Sequence, residues 1–163
     1  MNSRIRLLAL LVLAPSLGSA ADVVRHKIPN SNFPIAAAVE VPAGRTTVYL
    51  SGAVPPVANA DEPATSIAAY GDTEAQTVAV LGRIQAQLEG LGLTMGDVVK
   101  MQVFLVGDPD KAGLMDFAGF MKGYVQFFGT EEQPNLPARS TMQVAALANP
   151  GFLVEIEVTA VRP

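Results

Sequence analysis

Apolar and polar positions alternate most cleanly near the end of this chain. Across residues 154–160, Val154, Ile156, Val158 and Ala160 take one set of positions, and Glu155, Glu157 and Thr159 take the other. A period of two places each set on one side of a pleated strand. Residues 139–144 alternate as well, with Arg139, Thr141 and Gln143 against Ser140, Met142 and Val144. Asn149, Pro150 and Gly151 lie between the two runs and form a breaker cluster. The pattern predicts a terminal two-stranded ribbon, with one arginine and two glutamates on the polar faces of neighbouring strands. Glu155 and Glu157 would sit about 7 Å apart along theirs.

Upstream, the period changes. In residues 73–91, Thr77, Leu81, Ile84, Leu88 and Leu91 recur at helical spacing. Thr73 with Gln76 reads as a capping box, and Gly90 with Gly92 as a stop. A second helix is predicted over residues 111–128, where Phe117, Phe120, Tyr124, Phe127 and Phe128 share helical spacings. That stripe fits core packing before it fits a ligand wall. Strands are predicted at residues 22–28, 36–41, 46–51 and 98–106, with a turn at 30–34 and a hairpin loop at 42–45. Residues 53–70, with Pro55, Pro56 and Pro63, read as a long loop, either a mobile flap or a surface cover. The order is strand, hairpin, helix, strand, helix, hairpin. It predicts an α+β domain with two helices on one face of a sheet. The other face would then need cover, which a symmetric oligomer supplies.

At 163 residues, half of them hydrophobic and 16% charged, the chain suits one globular domain. It has no cysteine, which excludes disulfides, thiolate metal sites and a cysteine nucleophile. With only one histidine, His26, a multi-histidine metal centre is excluded too. His26 itself reads as an ordinary strand or surface residue. Residues 1–20 have a basic start at Arg4 and Arg6, a short apolar run and small residues at Gly18, Ser19 and Ala20. This is the pattern of a secretory signal peptide, too short to span a bilayer. The expectation is export, to a compartment such as a bacterial periplasm, of a single domain over residues 21–163. Removal of the two arginines would take the net charge from −4 to −6. Such an acidic chain lacks the electrostatic footprint of a nucleic-acid binder.

Three stretches carry a family resemblance. They are YLSGAVP at residues 49–55, MGDVVKMQVFL at 95–105, and PARS at 137–140 followed by VEIEVTAV at 154–161. In this order and approximate spacing they resemble the RidA (YjgF-like) family of enamine and imine deaminases, over nearly everything from Ile28 to Arg162. The resemblance implies a chorismate-mutase-like fold, a homotrimer and active clefts between subunits. It implies hydrolysis of small 2-imino and 2-enamino acids to 2-oxo acids and ammonia, without metal or organic cofactor. Arg139 would grip the substrate carboxylate, since a guanidinium fork matches a carboxylate in two parallel hydrogen bonds. Glu155 would position the attacking water and relay protons. Ser51 and Gly52 would line the cleft, with Thr141 as a further contact to substrate.

Three positions depart from the family pattern. Thr141 stands where a cysteine is common, Ile35 follows Pro34 where a tyrosine is common, and Met121 stands where an asparagine is common. An alternative of another class is a carboxylate-binding or holdase-like module on the same scaffold, without turnover. Ribonuclease activity, sometimes attributed to relatives, is disfavoured by the negative charge and the lone histidine.

Overall fold

The computed structural model describes residues 22–163. The predicted signal segment lies outside them. Eight main elements follow in order: β1 (Val24–Lys27), β2 (Ala36–Glu40), β3 (Thr47–Ala53), α1 (Thr73–Gly90), β4 (Val98–Val106), α2 (Phe117–Tyr124), β5 (Ala138–Val144) and β6 (Val154–Val161). The strands form one mixed sheet in the order β1-β2-β5-β4-β6-β3. β5 runs parallel to β2 and to β4, and the remaining pairs are antiparallel.

Both helices pack on one face of this sheet, as the α+β reading expects. β4 supplies Met101, Val103 and Leu105 to that face, and β6 supplies Val154, Ile156, Val158 and Ala160. Val80, Leu81, Ile84 and Leu88 of α1 meet them, together with Phe120 and Tyr124 of α2. The stripe on α1 is buried as predicted except at its end, where Leu91 is exposed. Lys100, Gln102 and Phe104 of β4 point to the opposite face, beside Thr159, Glu157 and Glu155.

The terminal ribbon is not a hairpin. β4 lies between β5 and β6 and bonds to both. The alternating pattern fixed which residues share a face but says nothing of which strand is the neighbour. The deciding element is α2, which carries the chain from β4 back over the sheet and so makes β5 parallel to β4. The hairpin predicted around residues 42–45 is also absent. β2 pairs with β1, and β3 pairs with β6 at the other edge. His26 on β1 contacts Glu40 on β2 at 2.7 Å, an exposed strand pair as expected.

Two helix ends differ from expectation. Asp72, not Thr73, caps α1, accepting from the Ala75 amide at 2.9 Å. The second helix starts at Phe117, because Ala112 and Gly113 both have positive φ (57° and 76°), a conformation no α-helix contains. Phe127 and Phe128 lie beyond its end.

The long loop is a fastened cover. The amides of Ala58 and Asn59 donate to the Ala69 carbonyl, and Arg83 donates to the Val54 carbonyl. The Tyr70 hydroxyl and the Asn149 side chain both donate to the Ala64 carbonyl, tying the loop to the turn before β6. Among the described residues, no helix is long and apolar enough to cross a membrane.

Candidate functional site

Arg139 is the second residue of β5, paired in register with Met101 of β4. It therefore shares the helix-covered face with the core. α2 brings three rings over it, because Phe117, Phe120 and Tyr124 follow one another at three- and four-residue spacing. Phe33, from the loop between β1 and β2, adds a fourth. The guanidinium carbon lies 4.3 Å from the Tyr124 ring centroid, 4.9 Å from Phe120, 5.6 Å from Phe33 and 6.0 Å from Phe117. A cation against ring faces is held by their quadrupoles, more strongly where water is excluded.

The edges of the guanidinium are a different matter. Nη2 donates to the Met121 sulfur at 3.2 Å, and the guanidinium also interacts with the Tyr124 phenol. Nη1 is buried and has no hydrogen-bond partner among the described residues. The Thr141 hydroxyl, two residues on and on the same face, is also buried without a partner. Buried donors are normally paired, and a charged one left open is costly. Burial lowers the arginine pKa from its ordinary value, and the neighbouring Tyr124 phenol opposes that shift. Arginine remains a cation throughout the physiological range. Burial likewise raises the Tyr124 pKa, against the pull of Arg139. The Tyr124 hydroxyl donates to the Pro34 carbonyl at 2.9 Å, which pins the Phe33 loop over the arginine.

Glu155, Ser51 and Gly52 form a second group on the opposite face. The β3–β6 register shifts between Leu50 and Ala53, and this irregularity holds Ser51 and Gly52. The Glu155 carboxylate lies against Gly52, so a Cβ there would push it aside. Beside them is an open concavity of about 330 Å³, lined by Ser51, Tyr49, Lys100, Gln102 and Glu157 among others. Lys100 Nζ donates to the Ser140 hydroxyl at 3.4 Å across this face. The sequence expectations thus divide into two sets. Arg139 and Thr141 come together, and so do Ser51, Gly52 and Glu155. The single chain does not join the sets, because the sheet lies between them. Arg139 and Glu155 are not on neighbouring strands. Among the described residues, no cluster of histidine and carboxylate side chains could hold a metal ion.

The sequence profile of the endoribonuclease L-PSP family matches residues 30–162. This chain belongs to the RidA (YjgF-like) family. Two RidA-family relatives from Escherichia coli are informative. The chain is 37% identical to the putative reactive intermediate deaminase TdcF over 116 residues, 71% of this chain and 78% of that one. It is 40% identical to the 2-iminobutanoate/2-iminopropanoate deaminase over 91 residues, 56% of this chain and 65% of that protein. Among solved structures, a Rid-family protein of unknown function from Yersinia pestis matches with a TM-score of 0.65 at 28% identity, covering 87% of this chain and all of that one. E. coli TdcF with bound serine matches with a TM-score of 0.56 at 34% identity, covering 76% of this chain and 85% of that one.

Within the RidA-family fold, two features of this site escape a reading of the sequence. The aromatic stripe on α2 is core, as expected, yet the same rings also stand around the Arg139 guanidinium. Phe33 carries no periodic signal, since it stands in a turn and meets Arg139 only through the tertiary fold. Its one local mark is that a large aromatic precedes Pro34 in a polar segment.

Proposed function

We propose that this protein is an exported deaminase that hydrolyses small 2-imino and 2-enamino acids to 2-oxo acids and ammonia. The observation that carries the proposal is Arg139 Nη1, a buried cationic donor with no hydrogen-bond partner among the described residues. A substrate carboxylate supplies the missing acceptor. The RidA-family relatives named as deaminases support the same chemistry.

The substrate imine carbon is already electrophilic, more so when the nitrogen is protonated. An enamine first takes a proton at its terminal carbon to become the imine. Water then adds to that carbon, giving a carbinolamine, and gives up one proton. Glu155 is the group to orient this water and accept the proton. The proton passes to the amino nitrogen, the carbinolamine hydroxyl gives up its own proton to Glu155 as the C–N bond breaks, and ammonia leaves with a C=O bond in its place. Arg139 holds the carboxylate at one end throughout, so binding energy fixes the C=N bond in place.

Because Arg139 and Glu155 lie on opposite faces of one sheet, they act together only if a second copy brings its Glu155 face to the Arg139 side. A homotrimer with clefts between subunits does this for every copy. A second reading, a carboxylate-binding module without turnover, is favoured by that same separation. The test uses 2-iminopropanoate generated in situ by an amino-acid oxidase. The protein should speed its loss and the release of ammonia, and Arg139→Ala should abolish the gain. A wild-type rate equal to buffer, with 2-oxo acid binding retained, selects the binding module instead.

A further inference from the structure

We infer that Met121 is an oxidation site, and that its sulfoxide oxygen occupies the Arg139 edge where a carboxylate would bind. The inference rests on Arg139 being the carboxylate anchor. It adds how that anchor is closed and reopened.

Met121 stands where an asparagine is common in the family, and a thioether brings chemistry that an amide lacks. Its sulfur lies 3.2 Å from Arg139 Nη2. A thioether is a weak acceptor, so it touches the guanidinium without satisfying it. The neighbouring donor, Nη1, is buried with no hydrogen-bond partner among the described residues. Met121 is only partly buried, whereas Met95 and Met101 are in the core, so a small oxidant can reach its sulfur. Met142 is more open, at 38% exposure, but strand alternation puts it on the face of β5 opposite Arg139.

The oxidant is a hydroperoxide, hydrogen peroxide in the simplest case. A sulfur lone pair attacks one peroxide oxygen, an S–O bond forms and the O–O bond breaks. The departing hydroxide takes the proton of the transferred hydroxyl and leaves as water. Sulfur is oxidised by two electrons, and the peroxide is reduced by two. The new oxygen is polar where the thioether was not. Contact for contact it holds a guanidinium less tightly than a carboxylate does. Its advantage is attachment. It is tethered beside Nη2 on an unbranched, adaptable side chain, while a free acid must give up its translational freedom to arrive. Methionine sulfoxide reductases reverse the oxidation, which would return the edge to substrate.

The test treats the purified full chain carrying Met142→Leu with hydrogen peroxide and maps oxidation by peptide mass spectrometry. Pyruvate binding is then followed by isothermal titration. Oxidation at Met121 should weaken pyruvate by at least about tenfold, and methionine sulfoxide reductase should restore it. With Met121→Leu added, peroxide should leave that protein's own affinity where it was before treatment. Thermal melts give a readout that needs no ligand. Peroxide should lower the midpoint of Arg139→Ala by several degrees more than that of the protein with its arginine, because only the latter pairs the sulfoxide. An affinity that survives oxidation at Met121, or falls equally in Met121→Leu, overturns the inference. So does a Met121 that stays reduced while Met142 of the wild type is fully oxidised. If the untreated protein binds no pyruvate, the anchor reading fails and the melts decide alone: equal falls overturn the sulfoxide contact, and a larger fall in Arg139→Ala supports it.

Discussion

Gln76 is fully buried in α1, and its side chain makes three hydrogen bonds. Nε2 donates to the carbonyls of Gly71 at 2.9 Å and Gly151 at 3.0 Å. Oε1 accepts from the Leu153 amide at 2.7 Å. These bonds clamp the entry of β6, and with it Glu155, to the helix layer. Gln76→Leu keeps the volume but strands two carbonyls and one amide. Each stranded group costs about 1–3 kcal/mol, and the apolar replacement returns about 1–2. The net loss should be about 3 kcal/mol. With a urea m-value of about 1.5–2 kcal/mol/M, the midpoint should fall by about 1.5–2 M. The assay is urea unfolding followed by circular dichroism, at fixed protein concentration because the proposed trimer's stability would depend on it. A fall of less than about 0.5 M with an unchanged slope would show that Gln76 clamps nothing.

Two further outcomes follow from the site. Gly52→Ala should drive the Glu155 carboxylate from its place and cut kcat/KM on the order of a hundredfold. Its thermal midpoint should move by only a few degrees, and Glu155→Gln added to it should cost little more. Full activity in Gly52→Ala would remove Glu155 from the proposed water-handling role. Tyr124 has a pKa raised by burial above its ordinary value of 10, so the unfolded chain loses that proton first. This contribution to stability is complete below pH 10 and falls as pH rises beyond it. Tyr124→Phe should lower stability at neutral pH by about 1 kcal/mol and flatten the alkaline decline. Parallel pH profiles for the two proteins in denaturant would contradict the assignment.

Periodicity was a good guide to faces and a poor guide to partners. The alternation of Val154, Ile156, Val158 and Ala160 marks the buried side of β6 correctly. The same logic put Arg139 and Thr141 on one face of β5, where they are. It could not place β4 between those strands, because that depends on α2 returning the chain across the sheet. Helix ends were legible to within a turn at α1, but Ala112 in a left-handed conformation has no sequence mark that forces it. PARS marked Arg139 as a candidate through the resemblance. Its ring of aromatics was not, since Phe33 and α2 reach it from distant parts of the chain. The separation of Arg139 from Glu155 follows from strand parity once the sheet order is known, and from nothing in the local sequence.

The central claim is that Arg139 of one copy works with Glu155 of another. Co-expressing Arg139→Ala and Glu155→Gln chains with different tags, then isolating the mixed oligomers, tests it directly. Each variant alone should be inactive on 2-iminopropanoate. In every mixed trimer one of the three clefts pairs an intact arginine with an intact glutamate, so about a third of wild-type activity should return. Mixed oligomers as inactive as the parents would contradict the shared cleft.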